Sequence, residues 1–389
     1  MFDLLSDDLV HAVMQLVPSE DLLPTALACK RLHDACIQRA KRDRDQGDPL
    51  WVTQITASAQ RVRWAVAMGA APPTSEWCAS VADRGDLLML QWLRAFGAPW
   101  DSGIVVAAAT FGHLDVLVYA HKHGMPLDET DDGGYQPIHY AAVGGHLAII
   151  QYMHEHGVPL DVADNNGMQT IHFAALRGHV AIIQRLHEHG VSLDVASNNG
   201  MQPIFLAAEN GHLALVRWLH ERGVPLDVTD EKGSQPIHCA SRRGHLATIQ
   251  WLHKHGVQLN VATDSGMHPI HFAARHGHLA VVKFLHSQGI PIDEVDVFCN
   301  QLIHIAAAGG NLAILQYLYE HGVPLSAATD SGRQPIHAAA MFGHLTAVKW
   351  LHERGVPLDA ASNTGSEPIH FALASEHQAV VDWLRERMM

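Results

Sequence analysis

The sequence is poor in positive charge: 26 lysines and arginines stand against 40 aspartates and glutamates, a formal net charge of −14 over 389 residues. A phosphate backbone attracts a basic surface, so this balance excludes general nucleic-acid binding. Cysteine is scarce and badly spaced for crosslinking. Cys29, Cys36, Cys78, Cys239 and Cys299 are odd in number, scattered, and without a C-x-x-C pair, which supports neither a disulfide framework nor a cysteine zinc site. No run of about 18 apolar residues is present to cross a membrane. The opening residues Met1 to Asp8 are acidic where a secretory leader is basic, and no Asn-x-Ser/Thr acceptor occurs. Together these absences predict a reducing compartment, cytosol or nucleus, and no membrane partner. H-E-x-x-H, a phosphate loop, a nucleophile-base pair and a paired-carboxylate site are missing too, so the sequence predicts no enzyme, no cofactor and no metal.

What the chain has is hydrophobic content, 48% of its residues, and 31 histidines. The first suffices for a sizeable core. The second would turn the net charge positive on full protonation, around pH 6 to 7 if the rings titrate near their reference value of about 6.5. A pH sensor or a metal store would fit such a composition, but the placement of the histidines supports a plainer account. Ile-His recurs with histidine at His139, His172, His238, His271, His304, His337 and His370, always at intervals of 33 or 66, with Phe205 in the one missing slot. Gly-His keeps the same period at His146, His179, His212, His245, His278 and His344, as does the segment Gly157-Val158-Pro159-Leu160-Asp161. Such a period marks a repeat architecture, and eight full units run from about 126 to 389.

Each unit reads as turn, helix, tight connection and helix. In the third, Pro203 suits the first position of a short helix because its missing N–H would be unpaired there anyway, and Gly211 breaks that helix. Leu213, Val216 and Leu219 then form the apolar stripe of a second helix, which Gly223 ends. The pattern resembles the ankyrin repeat, whose Thr-Pro-Leu-His signature appears as Gln235-Pro236-Ile237-His238 and Gln334-Pro335-Ile336-His337. The resemblance implies an all-α solenoid of helix-turn-helix units with β-hairpin loops, and a signature histidine that hydrogen-bonds the backbone of its own and neighbouring repeats. Glutamine or another residue replaces the family's capping threonine, a change expected to forfeit about 1 kcal/mol per helix unless another group caps it. Histidines in the last turn of the second helix, such as His154, His187, His220, His253, His286 and His352, are expected near exposed carbonyls that favour a cationic ring. Upstream, residues 49–125 read as shorter, divergent units, including Trp77 to Trp100 and Asp101 to Leu127, with Trp51 to Gly69 as a further degenerate one.

Residues 1–48 break the register. Leu5, Leu9, Val10, Val13, Met14 and Val17 form an amphipathic stripe, and Asp21-Leu22-Leu23 starts another helix. One reading is a cap for the solenoid, whose terminal units need a polar face. The other is a resemblance to the F-box, a three-helix motif: Leu5 to Met14 follows its first helix, and Asp21-Leu22 and Lys30-Arg31-Leu32 fall where expected. That resemblance implies docking on the adaptor of a cullin–RING ubiquitin ligase through Leu5, Leu9, Val10, Val13, Met14, Asp21 and Leu22. The rival is a ligase-independent scaffold or inhibitor.

Repeat solenoids bind along an extended concave surface, and the positions expected there vary while the scaffold repeats. One residue past each turn glycine stand Tyr135, Met168, Met201, Ser234, Met267, Asn300, Arg333 and Ser366. The first helices end on Leu176-Arg177, Glu209-Asn210, Arg242-Arg243, Arg275-His276 and Met341-Phe342. Arginine, methionine and aromatics favour interfaces, although solvated loops would vary in the same way. The expected partner is a protein held on this concave face by a chain that is otherwise a monomer. Arg177, Arg242, Arg243, Arg275 and His276 would form a basic stripe suited to an acidic or phosphorylated segment. The sixth unit departs most, with Cys299 in the turn-glycine slot, Leu302 for proline and Asn311 for histidine, so its hairpin is expected to be distorted. The family resemblance also marks Asn260 as a hairpin asparagine of the kind that can be hydroxylated.

Overall fold

The computed structural model describes residues 74–388 apart from 96, 297 and 298. The F-box-like segment Leu5 to Leu32 and the degenerate unit Trp51 to Gly69 lie outside the described residues. The chain divides into two compact units, Met1–Pro159 and Leu160–Met389. The described part of the first holds three helix pairs: Ser75–Asp83 with Leu87–Ala95, Gly103–Phe111 with Leu114–Lys122, and Pro137–Gly144 with Leu147–Glu155. The second holds seven, from Thr170–Arg177 with Val180–Glu188 to Pro368–Ala374 with Gln378–Met388. Among the described residues there is no strand, only the isolated bridges Ala163 with Gln169 and Val295 with Gln301. The expected hairpins are therefore single turns.

Helices of seven to eleven residues are marginal alone in water, so stacking must hold them. In the third repeat Ile204, Ala207 and Ala208 of the first helix and Leu215, Val216 and Leu219 of the second are fully buried, and the same positions are buried in the other repeats of the second unit except the last, where Ile369 is half-buried and Leu373 exposed. The alanines bring first helices of the second unit close together, while its second helices approach less closely. Unequal spacing curves this row with the first helices inside.

Between successive repeats the signature histidine makes the tie. In each of His172, His238, His271, His304 and His337, Nδ1 faces a backbone N–H of its own repeat, that of Gln169, Gln235, His268, Gln301 and Gln334, at 2.9–3.2 Å. A nitrogen facing an N–H must accept, so the proton sits on Nε2. From there it is donated to a carbonyl of the next repeat: Met201, Val261, Glu294, Ala327 and Ala360, at 2.8–3.3 Å. The ring is a neutral two-ended connector.

The same arrangement settles the missing threonine. Proline at the first helical position has no N–H, and the third N–H returns to the carbonyl of the residue before the helix, as from His238 to Gln235 at 2.9 Å. With the histidine accepting the N–H of Gln235, both N–H groups have partners without a threonine hydroxyl.

The Gly-His histidines form a second row of ties. His212, His278 and His344 place Nε2 2.9–3.1 Å from the carbonyls of Leu176, Arg242 and Ala308, one repeat back. Each ring fills the space where a β-carbon on Gly178, Gly244 or Gly310 would stand, which is why glycine is required there. Asn311 replaces one such ring and still donates to Ala274 and Arg275 at 2.7 and 2.9 Å.

Histidines near the ends of the second helices stand in the last turn as expected and have a further role. His187, His220, His253, His286 and His352 meet Trp218, Trp251, Phe284, Tyr317 and Trp383 of the following repeat edge-on, at 5.7–6.4 Å. Aromatic pairs of this kind are worth about 0.5–1.5 kcal/mol, so these rings serve packing between repeats.

Burial pushes the signature rings His172, His238, His271, His304 and His337 below the ordinary imidazole value, His238 to about 4; backbone carbonyls oppose the shift without cancelling it. The unfolded chain binds these protons first as pH falls, so stability present above about pH 6.5 drains away below it, by about 1.4 kcal/mol per pH unit for each ring, until the folded value is reached. Thermal melts at pH 7, 6 and 5 should show a midpoint that drops steeply below pH 6.5. An unchanged midpoint between pH 7 and 5 would contradict the neutral connector.

Candidate partner-binding face

Each turn is built by one residue with a short polar side chain. Asp164, Ser197, Asp230, Thr263, Asp296, Thr329 and Ser362 donate their N–H groups to the carbonyls of Met168, Met201, Ser234, Met267, Asn300, Arg333 and Ser366 at 2.9–3.2 Å. Their side-chain oxygens accept the N–H groups of the same residues. In addition, the carbonyls of Met201 and Arg333 take the proton of His172 and His304. The backbone at each variable position is thus held by the repeat, whatever side chain it carries. Adjacent turns also join: Asn198, Asp264 and Asn363 donate N–H to the carbonyls of Asn166, Lys232 and Ser331 at 2.9–3.0 Å.

The described ends of the sixth turn keep the form of the other turns, while its middle, residues 297 and 298, lies outside the described residues, and with it the distortion expected there. Cys299 adopts φ 57°, close to the 71° and 75° of Gly266 and Gly332, and the turn closes with the same bonds, Asp296 to Asn300 at 3.2 Å and Cys299 to Asp296 at 3.0 Å. What changes is the side chain, whose Sγ contacts Asp330 Oδ2 at 3.0 Å.

Turn residues and first-helix ends line the inner side of the second unit. Arg177 and Arg243 are exposed, Met168, Met201 and Arg242 half-buried. Tyr135 belongs to the first unit, where its ring lies 6.3 Å from that of His139. Glu209 reduces the anticipated basic stripe, because its Oε1 lies 2.9 Å from Arg242 Nη2 and 3.2 Å from Arg243 Nε. Such partly exposed pairs add little stability, and the single carboxylate offsets one of the two positive charges. Burial first, then Arg275 and other neighbouring cations, lower the pKa of His276, which works against the positive charge expected of it. Asn260 donates through its amide to Glu294 Oε1 at 3.2 Å.

Six of the expected contact positions do converge. Met267, Arg275, Asn300, Arg333, Met341 and Phe342 line a groove of about 280 Å³, together with Ile305, Ala308, Ala338 and Phe371. Sequence reasoning missed Ala308, Ala338 and Phe371. The signal was available in the period, for Ala308 stands where other repeats carry Leu176, Glu209, Arg242, Arg275 and Met341.

Among the described residues no three histidine, cysteine, aspartate or glutamate side chains group as metal ligands, and no helix is long and apolar enough to cross a membrane. Sequence models described as ankyrin repeats match residues 204–296 and, in six overlapping segments, 105–215 and 276–385. These matches run over well more than half of the chain, which belongs to the ankyrin-repeat family. Ankyrin repeats indicate a protein–protein interaction scaffold. No curated protein matches the chain.

A left-handed conformation costs a residue with a β-carbon about 1–2 kcal/mol, and Cys299 bears that strain. Cys299→Gly should raise stability by about 1 kcal/mol in denaturant unfolding. A loss of stability would show that the thiol contact with Asp330 outweighs the relief.

Proposed function

We propose that the chain is the substrate-recruiting subunit of a cullin–RING ubiquitin ligase. The inner face of the repeats holds a protein target, and residues 1–48 engage the ligase adaptor. Support for target binding is the separation of duties within each repeat: buried histidines and turn bonds fix the backbone, leaving Met168, Arg177, Met201, Met267, Arg275, Arg333 and Phe342 to differ without disturbing the stack. Tyr135 is assigned the same role in the first unit. A rigid scaffold with adaptable side chains limits the ordering cost of binding. Glu209, Arg242 and Arg243 form a paired cluster that an acidic target could enter only by displacing the Glu209 carboxylate, so they set specificity more than affinity.

Support for the adaptor role is sequence alone: the apolar stripe Leu5, Leu9, Val10, Val13 and Met14, with Asp21-Leu22 and the basic Lys30-Arg31 after it. Adaptor, cullin and target would meet in the cytosol or nucleus, and the chain itself would perform no chemistry. Without ligase engagement, the same face makes a stand-alone scaffold or inhibitor.

Co-expression of the full chain with an F-box adaptor separates these readings. A stable complex that is lost on changing Leu9 and Val13 together to Asp is the expected outcome, with the melting midpoint of the repeats unchanged. Absence of a complex with the unaltered chain overturns the ligase assignment and leaves the scaffold.

A further inference from the structure

The inner side of the second unit has a notch. First helices close on Leu176-Arg177, Glu209-Asn210, Arg242-Arg243, Arg275-His276, Ala308-Gly309 and Met341-Phe342, and within this series the sixth repeat alone presents no long side chain. The gap opens the groove of about 280 Å³, with Ile305, Ala308 and Ala338 beneath it, Met341, Phe342 and Phe371 along one side and Arg275 on the other. Small-molecule sites occupy roughly 300–1,000 Å³, so this volume suits one large side chain rather than a cofactor.

The surroundings of the notch are built rather than merely emptied. Gly309 has an ordinary φ of −87°, yet a β-carbon there would collide with the carbonyl oxygen of Arg275. That carbonyl and its neighbour at Ala274 are held by the amide of Asn311, the residue that replaces the periodic histidine. The repeat that removes its own side chains therefore clamps the end of the helix Pro269–Arg275, and with it the base of Arg275. Opposite, the Arg333 guanidinium lies 5.1 Å from the centre of the Phe371 ring.

Charge separates this place from the rest of the face. Arg242 and Arg243 share Glu209, but neither Arg275 nor Arg333 has an ion pair among the described residues. The one carboxylate lining the groove, Asp296, is buried and accepts the N–H and side-chain amide of Asn300. Phe342 and Met341 are 46% and 37% exposed, a large apolar outlay beside two free cations on an acidic protein.

We infer that the notch is a subsite for an acidic polypeptide segment carrying one aromatic side chain. The aromatic ring enters between Phe342, Phe371 and Ile305, and carboxylates on either side of it reach Arg275 and Arg333. This rests on the reading that the inner face holds a protein target, and adds which chemistry that target presents. Charge-assisted hydrogen bonds from arginine orient the carboxylates, and the buried ring supplies apolar area at the centre.

The test pans a displayed library of random twelve-residue peptides against the full chain and measures the enriched peptides by fluorescence polarisation. The expected peptides carry Phe, Tyr or Trp with Asp or Glu within two residues on both sides. Their affinity should fall at least about tenfold in Arg275→Glu/Arg333→Glu, and equally in Ala308→Met, which fills the notch with the residue type that Met341 places one repeat on. The melting midpoint of each variant checks that the stack persists. Enriched peptides without an acidic excess, or with affinity unchanged in both variants, overturn the notch. If those peptides are instead weakened by Arg177→Glu/Met201→Ala, target binding on the inner face stands and only the subsite is wrong. A library that yields no binder overturns the subsite, while the ligase assignment stands or falls on adaptor co-purification.

Discussion

A buried, neutral imidazole that accepts at one end and donates at the other is what the second unit depends on. A helix of two turns cannot stand alone, and alanine-rich first helices bury little area each. The histidine joins them across repeats because its two nitrogens are far enough apart to reach the N–H of one repeat and the carbonyl of the next. Only the neutral form with the proton on Nε2 serves, since a protonated ring would set a second donor against an N–H that already donates. Interior packing does the rest: in the third repeat Ile204, Ala207-Ala208, Leu215-Val216 and Leu219 have no exposure, and most other repeats bury close equivalents.

From that connector follows the freedom of the binding face. Turn residues such as Met201 and Arg333 give their backbone groups to the scaffold and keep their side chains out of it. Variation costs the fold nothing at these positions, whereas a change at His238 or Ala240 would be felt at once. The acidic net charge then acts as a background against which a few arginines matter. Glu209 pairs with two of them, burial lowers the pKa of His276, and Arg275 and Arg333, without ion pairs among the described residues, line the apolar notch.

The sixth repeat shows how departures from a period can cooperate. Cys299, Gly309 and Asn311 look like separate losses when read along the chain. In three dimensions Cys299 keeps the glycine's backbone angle, Asn311 keeps the inter-repeat bond with a shorter reach, and Gly309 makes room for the carbonyl that Asn311 holds.

The period of 33, the two helices per unit and the structural part played by the signature histidines were legible in the sequence alone, because repetition converts a local pattern into a statement about neighbours that stack identically. The sequence also determined which positions vary while the scaffold repeats. Tertiary structure alone decided how the variable residues interact, since Glu209 meets Arg242 and Arg243 from one repeat away and His187 meets Trp218 by the same step. A periodic sequence gives the rank of each residue in its repeat, but the distances between side chains of adjacent repeats depend on rotamers and on the closeness of the helices, which no single repeat encodes.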